Sequence, residues 1–283
     1  MKRIYLSLLL VVLCLSLVSC GEYGLLQKTP DYEYKYEAAK AYLAEGKYSK
    51  SATLFYDLLS VMKGTANGEE SLFLTAMSEF YGKHYDMAHN DFQKYIKSYP
   101  KGIYIEPAYY HSALSLYHQT PDPRLDQTST IEAMREFQAF LDRYPYSSLK
   151  EQTQEMVFSL QEKLVEKECL AAKLYYDLGS YMINSLYGGS NYQACVVTAQ
   201  NALRDYPYAS PEKRERLSIL VLRAKYQLAV KSIEDKRVER YRDAIDEYYA
   251  FENDFPESKY MKEAKEILQH SEKFVKRKGT EED

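Results

Sequence analysis

The chain has 283 residues, 46% of them hydrophobic, which is the make-up of one or two folded domains rather than a disordered chain. Lys+Arg 37 against Asp+Glu 41 gives a net charge of −4, leaving no global electrostatic case for a nucleic-acid partner. Gly 11 and Pro 9 exclude fibrous and low-complexity classes, while Tyr 30 with Trp 0 favours surfaces half buried between helices or beneath a partner, because tyrosine joins an apolar body to a polar tip.

Residues 1–19 read as an export signal. Lys2 and Arg3 form a basic start, and Ile4–Val18 is an apolar core too short to cross a bilayer comfortably. The segment ends Leu17-Val18-Ser19-Cys20-Gly21, which resembles a bacterial lipobox, whose cysteine is acylated (palmitate being one such chain) and becomes the first mature residue. An ordinary cleaved signal or a membrane anchor are the alternatives; length, charge and cysteine position together favour lipidation at Cys20. Acyl chains contribute ~0.8 kcal/mol per buried CH₂, enough to hold the chain on a membrane. Gly21 in place of Asp favours the outer membrane under the retention rule of some bacteria. Cys14 leaves with the signal, so Cys169 and Cys195 remain. A bridge between them is conceivable in an oxidising compartment, but two small apolar helix residues are the preferred reading.

Residues 20–31 read as a lipidated tether, residues 32–275 as a helical array and residues 276–283 as a charged, frayed tail. The first repeat, Tyr36–Leu59, places Ala38, Ala39 and Tyr42 on one helix, turns at Gly46 and continues through Tyr48, Ser51 and Phe55. This resembles a tetratricopeptide repeat, with Lys63 where a closing proline is expected and a flexible stretch over Gly64–Glu70. The second repeat runs from about Ser71 to Pro100 and turns at Gly82–Tyr85. The third opens at Ala108-Tyr109-Tyr110 and is interrupted by a loop, Thr120–Thr130, longer than a usual helix connection. Ser147 or Ser148 can cap a helix running to about Lys163. A separate amphipathic helix follows over Leu164–Tyr181, and Gly188-Gly189-Ser190 reads as a helix-ending turn. Further helical segments are Tyr192–Tyr206, Pro211–Ser232, Val238–Phe255 and Ser258–Phe274.

One frame organises these segments. Ala133, Phe137, Phe140, Leu141 and Tyr144 stand at i, i+4, i+7, i+8 and i+11, one face of a helix, with Pro145 ending it. The frame recurs at Ala88-Phe92-Tyr95-Ile96-Tyr99-Pro100 and at Cys195-Ala199-Ala202-Leu203-Tyr206-Pro207. It recurs again at Ala244-Tyr248-Phe251-Glu252-Phe255-Pro256, and, without proline, at Ser51-Phe55-Leu58-Leu59-Met62. A helix-and-stop unit repeated in this way predicts an all-α, tetratricopeptide-like superhelix of about five helix pairs. The intervals between prolines exceed the ~34 residues of a plain tetratricopeptide repeat, and the widest, Pro145 to Pro207, requires an extra helix near 148–163.

Several segments together resemble the BamD-like family, the D lipoproteins of the outer-membrane β-barrel assembly machine. They are Cys20 placed just before the first repeat, Ser98–Tyr117, the tripeptide Asp126-Gln127-Thr128 in the long loop with the helix after it, Leu164–Tyr181 with Glu168, Tyr175, Tyr176 and Gly179 in place, and Asp205–Ser210. The resemblance covers about 30–255. It implies a lipid-anchored protein on the periplasmic face of the outer membrane, with two partners: a barrel-forming subunit with periplasmic domains, and unfolded outer-membrane proteins. A generic tetratricopeptide lipoprotein that coordinates cell-wall synthesis enzymes shares the fold and the anchor and is the alternative.

No nucleotide-loop, zincin, CxxC or nucleophile-elbow motif occurs. His111 and His118 lack a placed carboxylate and read as half-exposed polar residues, and Asp122 and Asp126 as loop chemistry. The chain therefore reads as non-catalytic, without metal or cofactor. Tyr36, Tyr42, Phe73, Phe80, Tyr109, Tyr110 and Tyr117 stand on first helices of the pairs, the face that lines the peptide groove in such arrays; about half are expected in the core. Between Pro211 and Arg242, ten Lys/Arg oppose five Asp/Glu. Lys213, Arg214, Arg216 and Arg223 on one helix read either as a solvated face or as a docking face for an acidic partner domain.

Overall fold

A computed structural model describes residues 23–179, 181 and 190–282, the side chains of 279–282 excepted. The signal segment, Cys14, Cys20, Gly21 and the Gly188-Gly189 turn lie outside the described residues. The helices are α1 Tyr32–Ala44, α2 Tyr48–Leu58, α3 Ala66–Tyr81, α4 Tyr85–Ser98, α5 Ile105–His118, α6 Thr128–Arg143, α7 Lys150–Leu178, α8 Asn191–Asp205, α9 Pro211–Val230, α10 Glu234–Asp254 and α11 Met261–Glu282. No strand occurs among the described residues. The fold is all-α and tetratricopeptide-like.

The chain divides into two compact units, one of residues up to 120 with 129–156, the other of residues 121–128 with 157–283. In the first, Leu26, Tyr36, Phe55, Leu58 and Met62 form one core cluster, and Phe73, Ala76, Phe92, Tyr95 and Ala108 the next. Tyr110 meets Phe137 and Phe140 at 6.2 and 5.7 Å between ring centroids. In the second unit Val165, Cys169 and Ala172 pack against Cys195, Ala199, Leu217 and Val221. There Ile219 and Leu222 pack against Tyr248, Phe251 and Ala264.

The repeated frame falls on α2, α4, α6, α8 and α10, the second helix of each pair. Its first, i+4 and i+7 positions are buried in every copy: Ser51-Phe55-Leu58, Ala88-Phe92-Tyr95, Ala133-Phe137-Phe140, Cys195-Ala199-Ala202 and Ala244-Tyr248-Phe251. The proline stops also share a geometry. Tyr99, Tyr206 and Phe255 close their helices with ψ of 64°, 65° and 60°, outside the α region, as a following proline demands. Each still donates its N–H to the carbonyl four residues back, at 2.8, 3.0 and 2.9 Å.

Four expectations are corrected. The stretch Gly64–Glu70 is largely the start of α3: Thr65 caps it, its hydroxyl accepting the Gly68 N–H at 3.0 Å. Gly68 is required there, because a Cβ would stand 2.0 Å from the Met62 carbonyl oxygen. The segments to Lys163 and from Leu164 are one continuous helix, α7, with no glycine or proline between them to break it. The tether's end is helical over 23–28 and packed, since Leu26 is buried and the Lys35 ammonium donates to the Gln27 carbonyl at 2.7 Å. The charged end of the chain, read as a tail apart from the array, continues α11 through Glu282.

Phe137 and Phe140 both have 0% exposure. Truncating either to alanine is expected to cost about 3–5 kcal/mol in urea unfolding. Tyr146, 99% exposed, is the control, and Tyr146→Ala should stay within about 0.5 kcal/mol of wild type.

Candidate partner-binding surfaces

The aromatic candidates divide by burial. Tyr36, Phe73 and Tyr110 are buried at 3%, 7% and 3% exposure and line no groove; they fill the space between helices. Tyr36 packs edge-on to Phe55 at 6.1 Å and donates its hydroxyl to Glu70 at 2.6 Å. Phe73 stacks on Tyr104 at 4.5 Å. The Tyr110 hydroxyl is buried without a hydrogen-bond partner among the described residues, and its burial pushes its pKa up. Tyr42, Phe80, Tyr109 and Tyr117 are half-buried.

Phe80 and Tyr117 belong to a surface cluster at the C-terminal ends of α3 and α5. His118 stacks on Tyr85 at 4.5 Å and meets Phe80 and Tyr117 at 5.7 Å each. His111 stands edge-on to Phe80 at 5.3 Å. Tyr85 and His118 are members the sequence reading missed as a group; the aromatic residue opening α4 beside the histidine ending α5 is the signal that could have found them. Tyr109 lies apart, beneath the Arg143 guanidinium at 4.8 Å.

The tripeptide Asp126-Gln127-Thr128 builds its own loop. Asp126 accepts the Thr128 N–H at 2.9 Å where α6 begins, and the Thr128 hydroxyl, together with that N–H, holds its carboxyl below the usual range. Gln127 is buried and donates to the carbonyls of Asp122 and Leu125 at 2.8 and 3.2 Å. These contacts give the motif a folding role.

Three of the four candidate docking cations are engaged inside the chain. Lys213 pairs with Glu162 at 3.0 Å, Arg216 is bidentate on Glu166 at 2.9 and 3.1 Å, and Arg223 is bidentate on Glu263. They fasten α9 to α7 and α11, so α9 is not the face of four unpartnered cations that its sequence suggests. Arg214 donates to the Pro207 carbonyl at 3.0 Å on the surface. Cys169 and Cys195 are free and buried, and burial raises their thiols to about 11 and about 12.

Paired helices with small residues at their crossings, half-buried aromatics on first helices and internally neutralised charges define a tetratricopeptide-like helical-repeat protein. Residues 29–183 match the YfiO family, described as outer membrane lipoprotein, and the chain belongs to it. No curated protein matched the chain. No helix of the described residues is long and apolar enough to cross a membrane.

Burial holds the His111 imidazole below its ordinary pKa, although its Nδ1–H donates to the Pro107 carbonyl at 2.9 Å, and desolvation by the rings packed on one side of His118 lowers that imidazole too. A histidine depressed in the fold takes up its proton more readily when unfolded. Its stabilising share is therefore complete above about pH 6.5 and is lost as pH falls from there through the folded value. The melting temperature is expected to fall between pH 7 and pH 5, and His111→Phe to flatten that limb. Identical wild-type and variant profiles would rule out a buried neutral imidazole at 111.

Proposed function

We propose that this chain is a non-catalytic scaffold of the outer-membrane β-barrel assembly machinery, of the BamD-like kind. In this reading an export signal over 1–19 directs it to the envelope, and acylation at Cys20 holds it on the periplasmic face of the outer membrane. It binds the barrel-forming subunit and unfolded outer-membrane proteins. The carrying observation is the match to the outer membrane lipoprotein family over 29–183, which spans α1 to α7.

The surface around Phe80, Tyr85, Tyr117 and His118 suits the unfolded substrate. Extended, aromatic-rich segments gain stacking area on half-buried rings, and the neutral imidazoles add hydrogen-bonding groups without a charge that would need hydration. The barrel subunit meets the second unit at the exposed edge of α9 around Arg214. Lys213, Arg216 and Arg223 shape that edge indirectly by fixing the helix.

A photoactivatable residue at His118, which is exposed, should crosslink to unfolded barrel segments in living cells. The same probe at Phe158, 47% exposed, should not. The barrel subunit should co-purify with the chain from gently solubilised membranes. Co-purification of cell-wall synthesis enzymes in its place would contradict the assignment.

A further inference from the structure

We infer that the turn edge of the first two helix pairs is a membrane-contact surface, made to lie on anionic phospholipid headgroups. The starting point is Tyr23, the first of the described residues. Tyr23 is packed at that edge: its ring is edge-on to Tyr42 at 5.8 Å, and its hydroxyl reaches the Lys50 carbonyl at 3.5 Å. Cys20 is three residues away, a span of at most about 11 Å of extended chain. The inference rests on lipidation at that cysteine. An acylated Cys20 brings the headgroup plane to this edge of the fold, whichever way the remainder faces.

The chemistry at that edge suits such a surface. The Lys50 ammonium lies over the rings of Tyr23 and Tyr42 at 5.1 and 5.6 Å, and the Lys47 ammonium over Tyr42 at 5.2 Å. Tyr48 and Tyr81, one beside each turn, stack at 5.6 Å, with Tyr81 48% exposed. Lys47, Lys50, Lys83 and His84 line the open depression between the turns, and no carboxylate is among its lining residues. Of the acids nearby, Glu45 pairs with Lys47 at 2.6 Å and Glu79 with His84 at 2.7 Å, while Asp86 opens α4 beside the turn. Tyr42 also lines an adjoining hollow of about 470 Å³ with Leu25 and Tyr34, which are 75% and 62% exposed. Cations backed by tyrosines, beside an exposed leucine, match the phosphate and the upper acyl region of an interface.

Lys83 supplies an independent observation. Its φ is 64°, left-handed, whereas the matching turn of the first pair places Gly46 there with φ 76°. A lysine in that region carries a steric cost that glycine avoids. The second turn thus presents a cation at the left-handed position where the first presents glycine.

The test uses the mature full-length chain mixed with phosphatidylcholine vesicles or with 3:7 phosphatidylglycerol–phosphatidylcholine vesicles. Flotation on the neutral vesicles reports the anchor. Acylation of individual lysines by a water-soluble reagent, read by mass spectrometry, reports the surface. On anionic vesicles Lys50 and Lys83 are expected to react at least about fivefold more slowly than on neutral ones, the factor corresponding to one lysine at an anionic surface. Lys63, exposed beyond the opposite end of α2, should be unchanged. In Lys50→Gln/Lys83→Gly, protection of Lys47 should be lost, while the melting temperature holds or rises because glycine relaxes the turn. Equal Lys50 and Lys83 rates on the two vesicle types would overturn the inference and leave the anchor standing. A chain that fails to float on neutral vesicles removes the anchor reading. In that case flotation on anionic vesicles alone, abolished in the double variant, supports the surface, and flotation on neither overturns it.

Discussion

Each second helix of a pair meets its neighbours through one small side chain with no exposed surface: Ser51, Ala88, Ala133, Cys195 and Ala244. Helices can approach this closely only where nothing larger than a methyl, hydroxyl or thiol stands between them, and the ridges on either side then settle into fixed grooves. The residues at i+4 and i+7 must fill the space that this crossing defines, as Phe92 with Tyr95 and Phe137 with Phe140 do. In α8 the filling is by Ala199 and Ala202, and there Tyr192, Leu203 and Tyr206 pack around the cluster. Ser51 shows how the position tolerates a polar group: its hydroxyl donates to the Ala39 carbonyl at 2.9 Å and also meets the Ser78 hydroxyl. Its polarity is thus satisfied within the crossing.

The abundance of tyrosine follows from the same geometry. Tyr36, Tyr95 and Tyr248 bury their rings between helices and send their hydroxyls to carboxylates, Glu70, Glu69 and Glu252, each at 2.6 Å; Tyr56 does the same to Asp91. Desolvation and the facing carboxylate both push these phenols up. A tyrosine-rich composition therefore reports internal ties as much as contact surface. The rings left accessible include half-buried Phe80, Tyr85 and Tyr117, those at the turn edge, and the exposed Tyr146 and Tyr208.

The core frame was legible because small, i+4 and i+7 positions recur with a proline stop, and sequence alone carries that periodicity. The break at Leu164 came from expecting paired short helices; the residues of α7 contain no breaker. The start of α3 was obscured by Gly64, Asn67 and Gly68, although Thr65 with Gly68 three residues later is a cap followed by a close-packed backbone. The pairing of Lys213, Arg216 and Arg223 joins residues tens of positions apart, so charge counting along one helix could not find Glu162, Glu166 or Glu263. The split of the aromatic candidates into Tyr36, Phe73 and Tyr110 inside and Tyr42, Phe80, Tyr109 and Tyr117 half-buried depends on neighbouring helices, which a single helix pattern does not encode.

The claim on which the fold depends is that the first position of the frame is a steric slot, equivalent in every pair. Cys195 tests it most directly, because its thiol stands where the other copies carry alanine or serine. Urea unfolding of Cys195→Ala and Cys195→Leu, alongside wild type, measures the slot. The account predicts that the alanine variant stays within about 1 kcal/mol of wild type, and that the leucine variant loses about 1–3 kcal/mol or more by overpacking. A leucine variant as stable as wild type would contradict it.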